Sequence, residues 1–566
     1  MRIVFSFCAF LCVALAPAAE VPVKVGPLVA RHGIVVAGHP RAAAAGLEVL
    51  KAGGNAIDAA IATSLALGVA EPYASGLGGK IVLVYFDAKT RATSVVDALD
   101  VSGATIDVAR ERAMPVDDHS YGYASVCVPG LAAGLWEAHR KWGTKPWPEL
   151  VAPAIGLARD GVELLPQARD LFEEQTKKLH RGDPEIARWY LAGGELPATG
   201  AVLKNEDLAR TLEMVARDGR DGFYRGAIAD AIVQAVQRGG GALTRDDFAR
   251  YEPRLTTPVE MAFRGYWIAS APPPASGSLM IFAALTVLEN ESFDGGPLRT
   301  AGNLARLGRV WREVEPLAYR TIGDGPAAPA AFQRALAPEA IAQIRARALP
   351  APPPVPKKDG QAIEWPRPFE TAMAATTHFI VVDAAGDVVC ATQSLSTHFG
   401  AGVIAPGTGV VLNDSMSNFN FTDPADPGFV APGRRPRSTI SPTIVFSHDR
   451  PILALGAPGS ATIPTAIAQV LLDRLVLGRP LADAIGDTRV HFNIPWRAGQ
   501  TESLEAEDSL PAGTIAALAP LGWPVALREA AGRGRHFGGV NAVEINADGT
   551  LTGFADPRRT NRAAGF

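Results

Sequence analysis

The period of apolar positions changes along the chain, and the changes mark its elements. Ile34-Val35-Val36-Ala37 is a continuous apolar run and predicts a short strand. Residues 41–52 have helical texture and stop at Gly53-Gly54. Asn55 caps a second helix, with Asp58 near its positive end; Ile57, Ile61 and Leu65, spaced i, i+4 and i+8, predict its buried stripe. Gly76-Leu77-Gly78-Gly79 leads into a strand over 81–86. The stretch 130–250 is mostly helical. Within it, Ile228, Ile232 and Val236 define one helix that ends at Gly239-Gly240-Gly241, and Thr244 with Asp247 opens the next.

Proline stands at 350, 352, 353, 354, 356, 366 and 368. Such a segment resists regular structure and marks the best internal boundary. Strand texture follows it. Residues 379–383, the turn Ala384-Ala385-Gly386 and 388–392 predict a hairpin, which Val403-Ile404 and Val410-Val411-Leu412 extend. Residues 443–446 and 452–455 predict another strand pair. A helix at about 463–477 and a βαβ-like tail complete the chain.

Composition narrows the class. The chain has 566 residues, 48% apolar and 20% charged, with a net charge of −4. It is long enough for a sizeable core, and it has no basic excess that points to nucleic acid or anionic lipid. The abundant alanine reads as compositional bias. At the amino terminus, Arg2, an apolar run over 3–15 and Ala16-Pro17-Ala18 have the form of an export signal over 1–18. The run is too short to span a bilayer comfortably. The expectation is a periplasmic or secreted protein with no membrane span in its mature form. Cys8 and Cys12 leave with the signal. Cys127 and Cys390 remain in apolar contexts; one disulfide is open to them in an oxidising compartment, and two buried free thiols are the favoured reading. No CxxC or HExxH occurs, so neither a metal nor another cofactor is expected. Gly79-Lys80 is no phosphate loop, because Ala74 stands at the first glycine position and Ile81 at the Ser/Thr position.

The candidate chemistry starts at Thr376-Thr377-His378. An interior threonine is a poor nucleophile because its hydroxyl needs a base. An amino-terminal threonine brings one, a free α-amine with pKa about 7.7–8. Cleavage of the Ala375–Thr376 bond creates that pair, by attack of the Thr376 hydroxyl on the Ala375 carbonyl and opening of the ester by water. Alone, the triplet is ordinary strand chemistry. On a strand His378 faces the same side as Thr376, and a structural role is expected of it. No G-x-S-x-G motif supports a serine hydrolase.

Longer stretches make the triplet specific. HPRAAAAGLEVLKAGGNAIDAAIATSLALGVAEPYASGLGG, DGFYRGAIADAIVQAVQRGGGALTRDDFARYEP and PPPASGSL lie before Ala375; TTHFIVVD, GVVLNDSMSNF, RPRSTISPTIV, GAPGS and ADPRR lie after it. In this order they resemble the γ-glutamyltranspeptidase (glutathione hydrolase) family of N-terminal nucleophile enzymes. The resemblance implies an α+β fold, a four-layer αββα sandwich, in one catalytic domain shared by a large part over 19–375 and a small part over 376–566. It implies Thr376 as nucleophile and Ser394 as the hydroxyl that holds its amine. Gly459 and Ser460 fall at the oxyanion-hole positions, where backbone N–H groups do the work and the Ser460 Cβ restricts the backbone.

The departures from the family concern the donor. Leu99 stands where the family has an arginine for the glutamyl carboxylate. Asn418 stands where it has an aspartate for the amino group. Ser396 and Ser415 replace neighbouring amide or acidic positions; Ser438 is retained and Thr439 replaces a second serine. Both fixed charges for a zwitterionic head are then missing. Arg434, Arg435, Arg437 and Lys80 are candidate substitutes for the cation, and a solvated loop is the favoured reading for the arginines. The stretch from Phe419 to Arg434 is short beside members that carry a lid, which implies an open pocket.

The function implied is transfer or hydrolysis of an acyl group, γ-glutamyl or related, from a small-molecule or peptide amide to an amine or water. The alternatives are a cephalosporin-acylase-like or peptide or polymer amidase, and a non-catalytic binding protein on the same scaffold.

Overall fold

In the computed structural model, which describes residues 26–293, 298–349, 375–495, 502–528 and 536–566, two seven-stranded sheets face each other. The first sheet runs, edge to edge, Arg562–Gly565, Gly33–Ala37, Thr377–Asp383, Val388–Ser394, Lys80–Asp87, Ala92–Ala98 and Arg254–Thr256. The second runs Leu28–Ala30, Leu551–Phe554, Asn541–Ile545, Arg450–Gly456, Thr443–Ser447, Tyr266–Ser270 and Val259–Phe263. Neighbouring strands in both are antiparallel. Each sheet takes strands from both sides of Ala375, so the two stretches share one core.

The pleat explains the continuous apolar runs. Val36, Ile380, Val382 and Cys390 point between the sheets and meet Ile444, Ala454 and Val543. Their sequence neighbours Val35, Val381, Val389 and Ala391 point the other way, toward helices. A strand buried on both faces has no polar alternate. The helices Pro40–Lys51, Ala56–Ala70, Leu131–Trp142 and Trp147–Asp160 cover the first sheet, and Gly277–Leu288, Ala301–Thr321 and Thr462–Leu471 cover the second. The arrangement is the four-layer αββα sandwich.

Local signals hold at the caps. The Asn55 side chain accepts from Asp58 N at 2.9 Å, and Asp58 Oδ2 accepts from Asn55 N at 3.1 Å. Thr244 and Asp247 make the same reciprocal box. The helix Ala56–Ala70 departs from expectation. Ile57, Ile61 and Leu65 are buried, but so are Ala59, Ala60, Ala62, Ser64 and Ala66. It is wedged between neighbouring helices and the first sheet, and its alanines are the small side chains that permit close approach. Alanine here is packing, which corrects the compositional reading.

The hairpin 377–394 forms as expected, but Val403-Ile404 and Val410-Val411-Leu412 do not extend it. Ile404 and Val411 make a single bridge. Gly400, Gly402, Gly407 and Gly409 all take positive φ, which turns the chain too often for a ladder. The expected helix 463–477 is Thr462–Leu471 followed by a wider turn over Leu472–Val476. In the tail, Ser503–Glu507 pairs in parallel with Val525–Arg528 across the helix Ala512–Leu518. Cys127 and Cys390 are buried and unbonded. The signal 1–18 and the proline-rich 350–368 lie outside the described residues. Among the described residues no helix is long and apolar enough to cross a membrane.

Candidate functional site

The hairpin register builds the centre. Thr377 pairs with Gln393, so Thr376 emerges opposite Ser394 at the open end of the two strands. Thr376 Oγ1 lies 3.0 Å from Ser394 Oγ and donates to the Ala375 carbonyl oxygen at 2.6 Å. Ser394 Oγ bonds the same carbonyl, and it accepts from Ser396 N at 2.9 Å. The scissile carbonyl expected from the sequence is thus flanked by two buried hydroxyls. Both Ala375 and Thr376 are buried within the fold.

Gly459 and Ser460 lie in the turn between the strand Arg450–Gly456 and the helix Thr462–Leu471. Gly459 has φ +133°, and Ser460 has φ +53°, a left-handed conformation that a non-glycine residue holds at a cost of about 1 kcal/mol or more. Thr462 anchors the turn, with its N and Oγ1 donating to Gly459 O at 3.1 and 2.8 Å. Ser438 is fixed through its backbone, accepting from Ser276 N at 2.6 Å. Thr439 follows it, against the start of the helix Gly277–Leu288.

Thr376, Ser394, Ser396, Asn418, Ser438, Thr439 and Ser460 line one pocket of about 490 Å³, part of it open to solvent. Gly459, beside Ser460, is not among the lining residues. Ser415 lies behind Ser396, with the two hydroxyls 2.8 Å apart.

Lys80, one of the candidate substitutes for the missing cation, completes the pocket floor, with Asp100 behind it. Lys80 begins the strand Lys80–Asp87, and its Nζ donates to Ser415 Oγ at 2.7 Å and to Ser396 Oγ. It pairs with Asp100 at 3.4 Å, and both are buried. Burial raises the Asp100 pKa to about 6 despite the ammonium beside it. Ser415 also donates to Asp100, and Asn418 Nδ2 donates to Ser396 Oγ at 2.9 Å. Lys80 is thus the one of the four candidate cations that meets Ser396 and Ser415.

The cation expected to be missing is thus present in another form. Leu99, at the family's arginine position, lies in the apolar layer between the sheets. The reading of the arginines as a solvated loop fails for two of three. Arg435 is buried against Asp97 at 3.8 Å. Arg437 is buried, pairs with Asp426 at 2.9 Å and lines the pocket. Only Arg434 is exposed. Asp97 draws the Arg435 guanidinium inward and Asp426 draws that of Arg437, while Asp324 holds the Arg435 backbone N–H.

His378 stands apart from the chemistry. Its Nδ1 meets Thr392 Oγ1 at 2.8 Å and its Nε2 meets Cys390 Sγ at 3.7 Å, between the sheets. Burial lowers its pKa to about 3, so it stays neutral. The unfolded chain binds a proton near pH 6.5 and the folded one does not. The stability this gives is present above pH 6.5 and is lost as pH falls toward 3. It should fall by about 2 kcal/mol by pH 5. Burial shifts Asp100 the opposite way, so its contribution has the opposite sign over the acid range. Comparing urea unfolding of His378→Gln with the parent at pH 7 and 5 isolates the histidine, and the variant should lose less stability on acidification.

The γ-glutamyltranspeptidase family model matches residues 42–566. The chain belongs to the γ-glutamyltranspeptidase family. It is 31% identical to the glutathione hydrolase proenzyme of Bacillus subtilis (strain 168), over 95% of this chain and 92% of that one. It is 33% identical to the acylase ACY 1 proenzyme of Pseudomonas sp. (strain SE83), over 94% and 92%. Among solved structures, the cephalosporin acylase from Bacillus halodurans superposes with a TM-score of 0.84 at 25% identity, covering 97% and 99%. The fold is that of the N-terminal nucleophile hydrolases. Family and proenzyme relatives support a self-processing, γ-glutamyltransferase-like hydrolase that yields two subunits from one precursor.

Proposed function

We propose that this family member is an exported amidohydrolase or acyltransferase that cleaves itself between Ala375 and Thr376 and then uses Thr376 as its nucleophile. The observation that carries the proposal is the pair of hydroxyls, Thr376 and Ser394, on the Ala375 carbonyl.

In the precursor, Thr376 Oγ1 attacks the Ala375 carbonyl carbon while Ser394 steadies its oxygen. The C–N bond breaks, the nitrogen takes the hydroxyl proton, and an ester joins Ala375 to Thr376. Water opens the ester, leaving a carboxylate on Ala375 and a free amine on Thr376. That amine becomes the base. Turnover repeats the chemistry on a donor amide. Thr376 Oγ1 adds to its carbonyl, the amine passes the proton to the leaving nitrogen, and an acyl-enzyme forms. Water or an acceptor amine then releases the acyl group. Ser394 is placed to hold the amine, and the N–H groups of Gly459 and Ser460 to hold the oxyanion. Ser396, Asn418, Ser438 and Thr439 form the donor wall, with Ser415 behind Ser396.

The apolar run over 3–15 supports export. Intact mass and amino-terminal sequencing of the purified protein test the whole reading. Two fragments are expected, one beginning after Ala18 and the smaller beginning Thr-Thr-His. A single uncleaved chain after prolonged incubation at neutral pH contradicts it.

A further inference from the structure

Among the described residues, the pocket lining carries two cations and no carboxylate. Lys80 and Arg437 both line it, and no described aspartate or glutamate does. Each cation is held from behind by an acid outside the lining, Asp100 at 3.4 Å and Asp426 at 2.9 Å. Each pair therefore turns its positive end to the pocket. The other polar lining groups are neutral hydroxyls and the Asn418 amide.

Resting on the reading of Thr376 as nucleophile, we propose that the acyl donor is a monoamide of a dicarboxylic acid, with a carboxylate at its far end and no ammonium group, and that Lys80 is the specificity-determining residue. The hydrogen-bond directions fit this chemistry. Ser415 donates to Asp100, so the Ser396–Ser415 contact runs from Ser396. Ser396 accepts from Lys80 and from Asn418. A donor carboxylate that accepts the Ser396 O–H hydrogen bond comes to rest against an ammonium and the second Asn418 N–H. An ammonium in the same place meets the Lys80 charge and finds no counter-anion. Ser396 is held for this role at φ +82°, a strained conformation for a non-glycine residue.

Three p-nitroanilides of equal acyl length separate the cases: glutaryl (anion), pentanoyl (neutral) and γ-glutamyl (zwitterion). The parent should turn over the glutaryl compound with kcat/KM at least tenfold above each of the others. Lys80→Met should lower the glutaryl-to-pentanoyl ratio at least tenfold. Asn418→Asp, nearly isosteric, puts an anion into the wall and should move the glutaryl-to-γ-glutamyl ratio at least tenfold toward γ-glutamyl. Self-cleavage and a cooperative melt report whether each variant folds; if Lys80→Met does not, the Asn418→Asp ratio decides. A parent preference for pentanoyl or γ-glutamyl, or ratios unmoved in the variants, overturns the proposal. Failure of the underlying reading looks different: turnover that survives Thr376→Ala, or none of the three substrates turned over by the parent.

Discussion

Thr376→Ala is expected to leave the protein as one intact chain and to lower amide turnover by about 10⁴-fold or more. The magnitude follows from the number of roles that one oxygen fills. In the proposed mechanism it is the nucleophile that breaks the Ala375–Thr376 bond and the atom that carries the acyl group in every later cycle. Without the first event there is no free amine, so nucleophile and base disappear together. Thr376→Ser keeps the oxygen and should still process. The variants are read by intact mass for cleavage and by a chromogenic amide for turnover. Full processing of the alanine variant sinks the mechanism, because Ser394 on the same carbonyl would then be the attacking hydroxyl.

Gly459→Ala should lower kcat by about 10²–10³-fold, the range for loss of one oxyanion donor. Gly459 sits at φ +133°, which side chains rarely adopt. An added Cβ would press into Thr462 Oγ1 and lie 3.1 Å from Gly538 Cα. Thr462 is also the anchor that bonds Gly459 O, so the turn has to shift where its two N–H groups aim. A displacement of a few tenths of an ångström degrades a donor that must meet a developing charge. The loss should fall on kcat more than on KM, since the oxyanion exists only in the transition state. An unchanged kcat in a fully processed protein removes the Gly459–Ser460 turn from the mechanism.

The parts of the molecule that were legible in the sequence are those decided by near neighbours. Asn55 with Asp58 and Thr244 with Asp247 form their boxes because both partners lie three residues apart on one turn. The hairpin around Ala384-Ala385-Gly386 brings Thr376 to Ser394 by register alone. The segments at 400–412 were misread because four glycines at positive φ outweigh the β preference of the valines between them.

The sequence by itself determined the family, the strand-and-helix texture and the candidate nucleophile, Thr376. Only the tertiary structure decided what the pocket offers a substrate. Lys80 meets Ser396 and Ser415 across more than three hundred residues of chain, while Asp100 reaches the lysine across the hairpin of the strands Lys80–Asp87 and Ala92–Ala98. Arg437 turns inward because Asp426 awaits it, and Leu99 leaves the donor wall for the layer between the sheets. A charge acts through distance in space and through burial, and both are properties of the folded chain.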